Sequence, residues 1–230
     1  MAQTWHDLLF AHWPIAAAGM RARLPRGLEL DTFEGAAWLG IVPFRMSGVR
    51  LRWTPAVPGL SAFPELNVRT YVTHDGRPGV WFFSLDAANA LAVAVARMWF
   101  HLPYFRARMA SVEEGEDVDY ASVRVHPGGP PAELRARYGP RGAASLARSG
   151  TLDHWLTERY CLYAISRRGA LLRGEIHHAP WALAPAAATI ARNTMGAARG
   201  LELPAAAPHL LFARRQDVVI WPPRLASRRG

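Results

Sequence analysis

The chain has 230 residues, half of them hydrophobic and a fifth charged, enough to bury a sizeable core, so residues 1–230 read as one domain. All 27 basic side chains are arginine, which stays protonated, so no side chain can form an imine with a carbonyl as a lysine amine does. The +9 net charge is uneven: residues 1–130 hold 12 Arg and 12 acids, residues 131–230 hold 15 Arg and 6 acids. Those arginines stand singly or in pairs such as Arg167-Arg168, a pattern of a solvated face more than of a nucleic-acid surface. Cys161 is the single cysteine, which excludes an internal disulfide and a multi-cysteine zinc cluster. Met1 to Asp7 offers no basic region ahead of a long apolar run, and the apolar stretches around 90–96 and 181–188 fall short of the ~18 residues a membrane span needs. A cytoplasmic chain with no membrane association is expected.

In chain order, Pro14 suits the first turn of a helix ending near Arg23, ahead of Pro25 and Gly27. Residues 28–33 and 36–46 read as strands around a Glu34-Gly35 turn, and residues 50–63, with two prolines, as a loop. Glu65, Asn67, Arg69 and Tyr71 alternate with Leu66, Val68, Thr70 and Val72, a strand with one polar face. His74-Asp75-Gly76 turns it into a partner at 79–85, and Asp86 is placed to cap an alanine-rich helix over 87–100. Strands follow at 104–112 and 117–126, then an irregular stretch over 132–150, a short helix at 152–157, and strands at 158–165 and 170–177. A helix from Pro180 and Pro185 to Ala198, a hairpin of 209–213 with 218–221, and a frayed tail at 224–230 complete the reading. The sum is mainly β with packed helices (α+β), an antiparallel closed or partly closed β-barrel.

Six strings in order carry a resemblance: Phe10 to Pro14, Gly40 to Met46, Glu65 to Val72, Phe82 to Asp86, Leu156 to Tyr160 and Ile176 to Trp181. Together, over about residues 5–222, they resemble the YqjF-like bacterial family of unknown function. That family is remotely similar to the acetoacetate decarboxylase fold, which implies a closed antiparallel β-structure with a central pocket. The decarboxylase reaction implied by that likeness uses a lysine imine, with a second lysine beside it. This chain has no lysine, so the fold carries over and that reaction does not.

Three strand faces offer polar side chains to such a pocket: Glu65/Asn67/Arg69/Tyr71, Tyr120/Ser122/Arg124 and Thr157/Arg159/Cys161/Tyr163. Asn67, Arg69, Tyr71, Ser122, Arg124 and Arg159 are the candidate ligand-binding residues, the guanidinium fork matching two oxygens of a carboxylate or enolate. Glu65, Glu158 and His177 are the candidate acid-base residues, and a carboxyl among arginines should ionise readily. His177 and His178 diverge on a strand and cannot chelate one metal together, so no metal site is expected. No phosphate loop or nucleophile elbow is present, and no cofactor is expected.

The reading is a small-molecule protein taking an acidic or carbonyl-bearing metabolite, with lyase- or isomerase-like acid-base or enolate chemistry if it turns over. A non-catalytic binding or sensor module on the same pocket is the alternative. A third reading puts nucleic acid or a partner protein on the basic second part. The sequence leaves a homo-oligomer open.

Overall fold

The computed structural model describes residues 1–50 and 61–226, so most of the 50–63 loop and the end of the tail lie outside the described residues. The chain is mostly strand. In order it runs β1 (Ala2–Ile15), α1 (Ala17–Arg21), β2 (Glu29–Leu30), β3 (Ala37–Arg50), β4 (Phe63–His74), β5 (Arg77–Ala87), α2 (Ala90–Val95), a π-helical turn (Ala96–Phe100), β6 (Tyr104–Glu114) and β7 (Asp117–Arg124). It continues with β8 (Glu133–Pro140), β9 (Ser145–Leu146), α3 (Leu152–Thr157), β10 (Cys161–Ile165), β11 (Leu171–His178), β12 (Ala182–Asn193), β13 (His209–Ile220) and β14 (Arg224–Leu225).

Strand pairing closes on itself. β4 pairs β5, β5 pairs β10 in parallel, and β10, β11, β13, β1, β3 and β4 follow as antiparallel neighbours. A second, wider circuit leaves β5 through β6, β7, β8 and β12 and rejoins at β13. The two circuits share β13, β1, β3, β4 and β5. The side chains of β4 therefore alternate between two enclosed interiors: Leu66 and Val68 join Leu9, Ala11, Leu39, Ile41, Tyr120, Leu134 and Tyr138 in the main core of the wider circuit, while Glu65, Asn67 and Arg69 face the narrower one. The apolar face of β4 thus packs against other strands of the sheet.

Several elements differ from the sequence reading. Pro14 lies in β1, not in a helix; its pairing there is with Trp38 of β3, while the ladder to β13 stops at His12, so its missing N–H interrupts no bond on that side. Residues 182–193 form β12, not a helix, because the alanine-rich segment fills the gap between β8 and β13, and sheet completion outweighs a propensity difference of tenths of a kcal/mol per residue. The stretch at 132–150 contains β8, and the expected 209–221 hairpin is one continuous strand, with Arg215 opposite His6 and Gln216 opposite Trp5. Asp86 does not cap a helix. That role falls to Asn89, whose Oδ1 accepts from the amides of Leu91 and Ala92 at 3.0 Å. The tail pairs β11 through Arg224 and Leu225.

Candidate functional site

Within the narrower circuit lies a cavity of about 60 Å³, to which every strand of that circuit contributes: Gln3 and Trp5 from β1, Phe44 from β3, Glu65, Asn67 and Arg69 from β4, Val80, Phe82 and Leu85 from β5, Leu162 from β10, Ile176 and His178 from β11, and Ile220 from β13. Tyr104, Thr157, Arg159 and Trp181 complete the polar part of the wall. At ~10–15 Å³ for each water-sized sphere, the space takes roughly five such spheres.

Arg69 is 9% exposed. Its Nη2 donates to Leu156 O at 3.3 Å, its Nε has no partner, and it lies over the rings of Phe10 and Tyr71 at 5.4 and 5.7 Å. Among the described residues no carboxylate lies within salt-bridge distance of it. Arg159 comes to the same ring, 5.0 Å from the centroid of Tyr71. It donates to Asp31 at 2.6 Å and to Trp155 O at 2.7 Å, and leaves Nη2 unpartnered. One of the two buried cations is thus balanced and the other is not.

Tyr71 sits behind both guanidiniums, its hydroxyl 2.6 Å from Nε2 of His12. Burial, then the nearby Arg69, holds His12 well below the usual histidine range, so its ring is neutral and adds no charge. Gly40, opposite Arg69 on β3, permits this packing, since a Cβ there would lie 2.7 Å from His12 Nε2 and 3.3 Å from Arg69 Cγ.

Glu65 stands at the other end of the polar row. Two residue pairs along the strand separate its Cα from that of Arg69 by ~13 Å. Contrary to the expectation of ready ionisation, burial raises the Glu65 carboxyl to about 8; the hydrogen bond from Tyr104 opposes the rise and Asp86 adds to it. The Tyr104 hydroxyl donates to Glu65 Oε2 at 2.9 Å. Asn67 lies between the two ends with its Oδ1 buried and unpartnered, and Trp5 and Trp181 carry buried indole N–H groups without partners.

The structure brings Glu65, Asn67, Arg69 and Arg159 to one cavity, with Tyr71 as backing. It separates the other candidates. Arg124 is locked to Asp86 through Nε at 2.7 Å and Nη2 at 2.8 Å, outside the cavity. Ser122 is buried elsewhere. Glu158 turns its carboxylate away, accepting from the Trp181 amide at 3.0 Å and from the Tyr160 hydroxyl. His177 is exposed; its neighbour His178 faces the cavity, stacked on Tyr160 and with its ring nitrogens 2.8 Å from Ala179 O and 3.3 Å from Arg159 O. β10 begins only at Cys161, so the alternation from Thr157 breaks: Leu162 faces inward, while Cys161 and Tyr163 bond the carbonyls of Pro78 and Arg77 on the outer side. Trp5, Tyr104 and Trp181 were not readable as site residues, because only the closure of the circuit brings them to β4.

The DUF2071 family, described as uncharacterized conserved proteins, matches residues 2–217. The chain belongs to this family. Another protein of that kind, the uncharacterized protein YqjF of Bacillus subtilis (strain 168), is 49% identical to this DUF2071 chain over 224 residues, 97% of this chain and 91% of YqjF. Among solved structures, the enduracididine biosynthesis enzyme MppR complexed with pyruvate superposes with a TM-score of 0.68 at 14% identity, covering 99% of this chain and 90% of MppR. The acetoacetate decarboxylase of Legionella pneumophila gives 0.64 at 12% identity, with 99% and 88% covered. These likenesses establish that the DUF2071 chain has an acetoacetate-decarboxylase-like fold.

Proposed function

We propose that the cavity binds a small carboxylate, with a 2-oxo acid as the ligand class, through Arg69 and the free Nη2 of Arg159. The carrying observation is Arg69, a buried guanidinium that no carboxylate of the described chain balances. An unpaired buried charge costs several kcal/mol, and a fold that keeps one in a cavity is arranged for an anion from outside. Glu65 does not neutralise it, being mostly protonated at pH 7. The pyruvate held by MppR in the same fold supports the ligand class.

With the carboxylate at the arginine end, the adjoining carbons extend past Asn67 toward Glu65. A carboxyl of pKa about 8 exchanges protons near neutral pH: its carboxylate form takes a proton from carbon to leave an enolate, whose oxygen the arginine end stabilises, and its acid form returns one. This is acid-base chemistry that needs no lysine. Both solved neighbours named above are enzymes by title, which favours this reading over a non-catalytic module.

Calorimetric titration tests the binding. Pyruvate is expected to bind at least tenfold more tightly than its neutral methyl ester, and equal affinity, or failure of pyruvate and of its longer 2-oxo acid homologues alike to bind, would overturn the proposal. Proton NMR in D2O tests turnover: loss of the pyruvate methyl signal, quickening up to about pH 8, marks catalysis, whereas ligand recovered unexchanged marks a binding module.

A further inference from the structure

The polar cavity has an apolar neighbour. Beyond Glu65 and Tyr104 lies a second chamber of about 120 Å³, and the two share Gln3, Glu65, Leu102, Tyr104, Leu162 and Ile220 as common wall. Its own lining is apolar: Met46 and Phe63 from β3 and β4, Ala92 and Val95 from α2, and Ala96 and Phe100 from the π-helical turn that roofs it. Met1 and Val49 complete this part of the lining, so among the described residues the polar groups of the chamber are Gln3, Glu65 and Tyr104 on the shared wall and the Met1 ammonium, which donates to Ile220 O at 2.7 Å, and the rest offers a ligand apolar contact.

We infer that the ligand is amphiphilic, a 2-oxo acid whose aliphatic chain continues from the arginine end past Glu65 into this second chamber. The inference rests on the carboxylate reading above. Three features of the molecule converge on it. The unpartnered guanidinium donors lie at one end, the Glu65 carboxyl stands on the wall that the two spaces share, and the space beyond that wall is about twice the volume of the polar cavity. A ligand filling only the polar end would leave this apolar surface, around a space of some eight or more water-sized spheres, uncovered, whereas covering apolar surface is favourable. The arrangement also places the carbons next to the 2-oxo group, rather than the carboxylate or the tail, beside Glu65.

The test is a chain-length series on the intact protein: straight-chain 2-oxo acids from pyruvate to 2-oxodecanoate, with octan-1-ol as a headless control, each titrated by calorimetry. Affinity is expected to rise by about fourfold for each methylene that enters the chamber and then to level off, octan-1-ol binding far more weakly than 2-oxooctanoate. Ala96→Phe, which fills the chamber, should flatten the gradient, and Val95→Phe serves the same purpose should that variant not fold. Pyruvate binding as tightly as or more tightly than every longer acid would overturn the inference while leaving the carboxylate reading intact. Failure of every acid to bind, whatever octan-1-ol does, would overturn both.

Discussion

Replacing Asp86 by alanine is expected to destabilise the protein by about 3–5 kcal/mol, the range for breaking a buried ion pair from one side. Both partners are shut from water, with side-chain exposures of 1% for Arg124 and 0% for Asp86, and the two bonds are the parallel pair that a guanidinium makes with one carboxylate. Removing Asp86 leaves the Arg124 guanidinium buried over the ring of Phe105, 4.1 Å from its centroid, with the Pro130 carbonyl at 3.3 Å as its remaining partner. Burial acts on Asp86 in the opposite sense, raising its carboxyl, while the bond from Arg124 lowers it. The pair is therefore a connector of β5 to β7 more than a source of net stability, and the double replacement Asp86→Leu with Arg124→Met should recover most of the loss. Urea unfolding of the parent protein and the two variants checks this. A cost under about 1 kcal/mol for the single change would show that Arg124 finds another partner.

Glu65→Gln is expected to stabilise the protein at alkaline pH. The folded-state carboxyl titrates at about 8 against an ordinary 4.5, so between those values the folded state holds a proton that the unfolded chain has lost. Stability from this group is full below about pH 4.5, falls as pH rises toward 8, and is flat above. Integrated over the window the effect is on the order of 4–5 kcal/mol. Glutamine does not titrate and still accepts the Tyr104 hydroxyl through Oε1. The two proteins should therefore be of similar stability near pH 5 and diverge by pH 9 in favour of the variant. Parallel stability curves over that range would mean that Glu65 ionises in the fold as it does in water.

The strand that builds the site was legible from its alternation, since period two assigns Glu65, Asn67 and Arg69 to one side whatever the sheet does. What that side faces was not, because enclosure depends on β5 meeting β10 and on β11 meeting β13, contacts between segments far apart in sequence. The same blindness explains Arg124, a good ligand candidate by residue type until Asp86, 38 positions away, meets it. It explains His177 as well: of two adjacent histidines, phase alone decides which faces inward, and that phase is set by the register of Ile176 to His178 on β13. β12 misled for a different reason. Its alanines favour helix weakly, and a sheet with an open position between β8 and β13 overrides weak preferences. Fold family, by contrast, was readable from short strings in order, and the missing lysine was decisive from composition alone.

The most direct test of the central claim, that Arg69 is kept for an anion and not for the fold, is Arg69→Met with pyruvate affinity and melting temperature measured on the same preparation. Methionine fills similar space without the charge and keeps contact with Phe10 and Tyr71. The expected result is a melting temperature equal to or above that of the parent protein, because an unbalanced buried cation is gone, together with a fall in pyruvate affinity of tenfold or more. Pyruvate binding that survives the change, or a melting temperature that drops by many degrees with affinity intact, would contradict the claim and return Arg69 to a structural role.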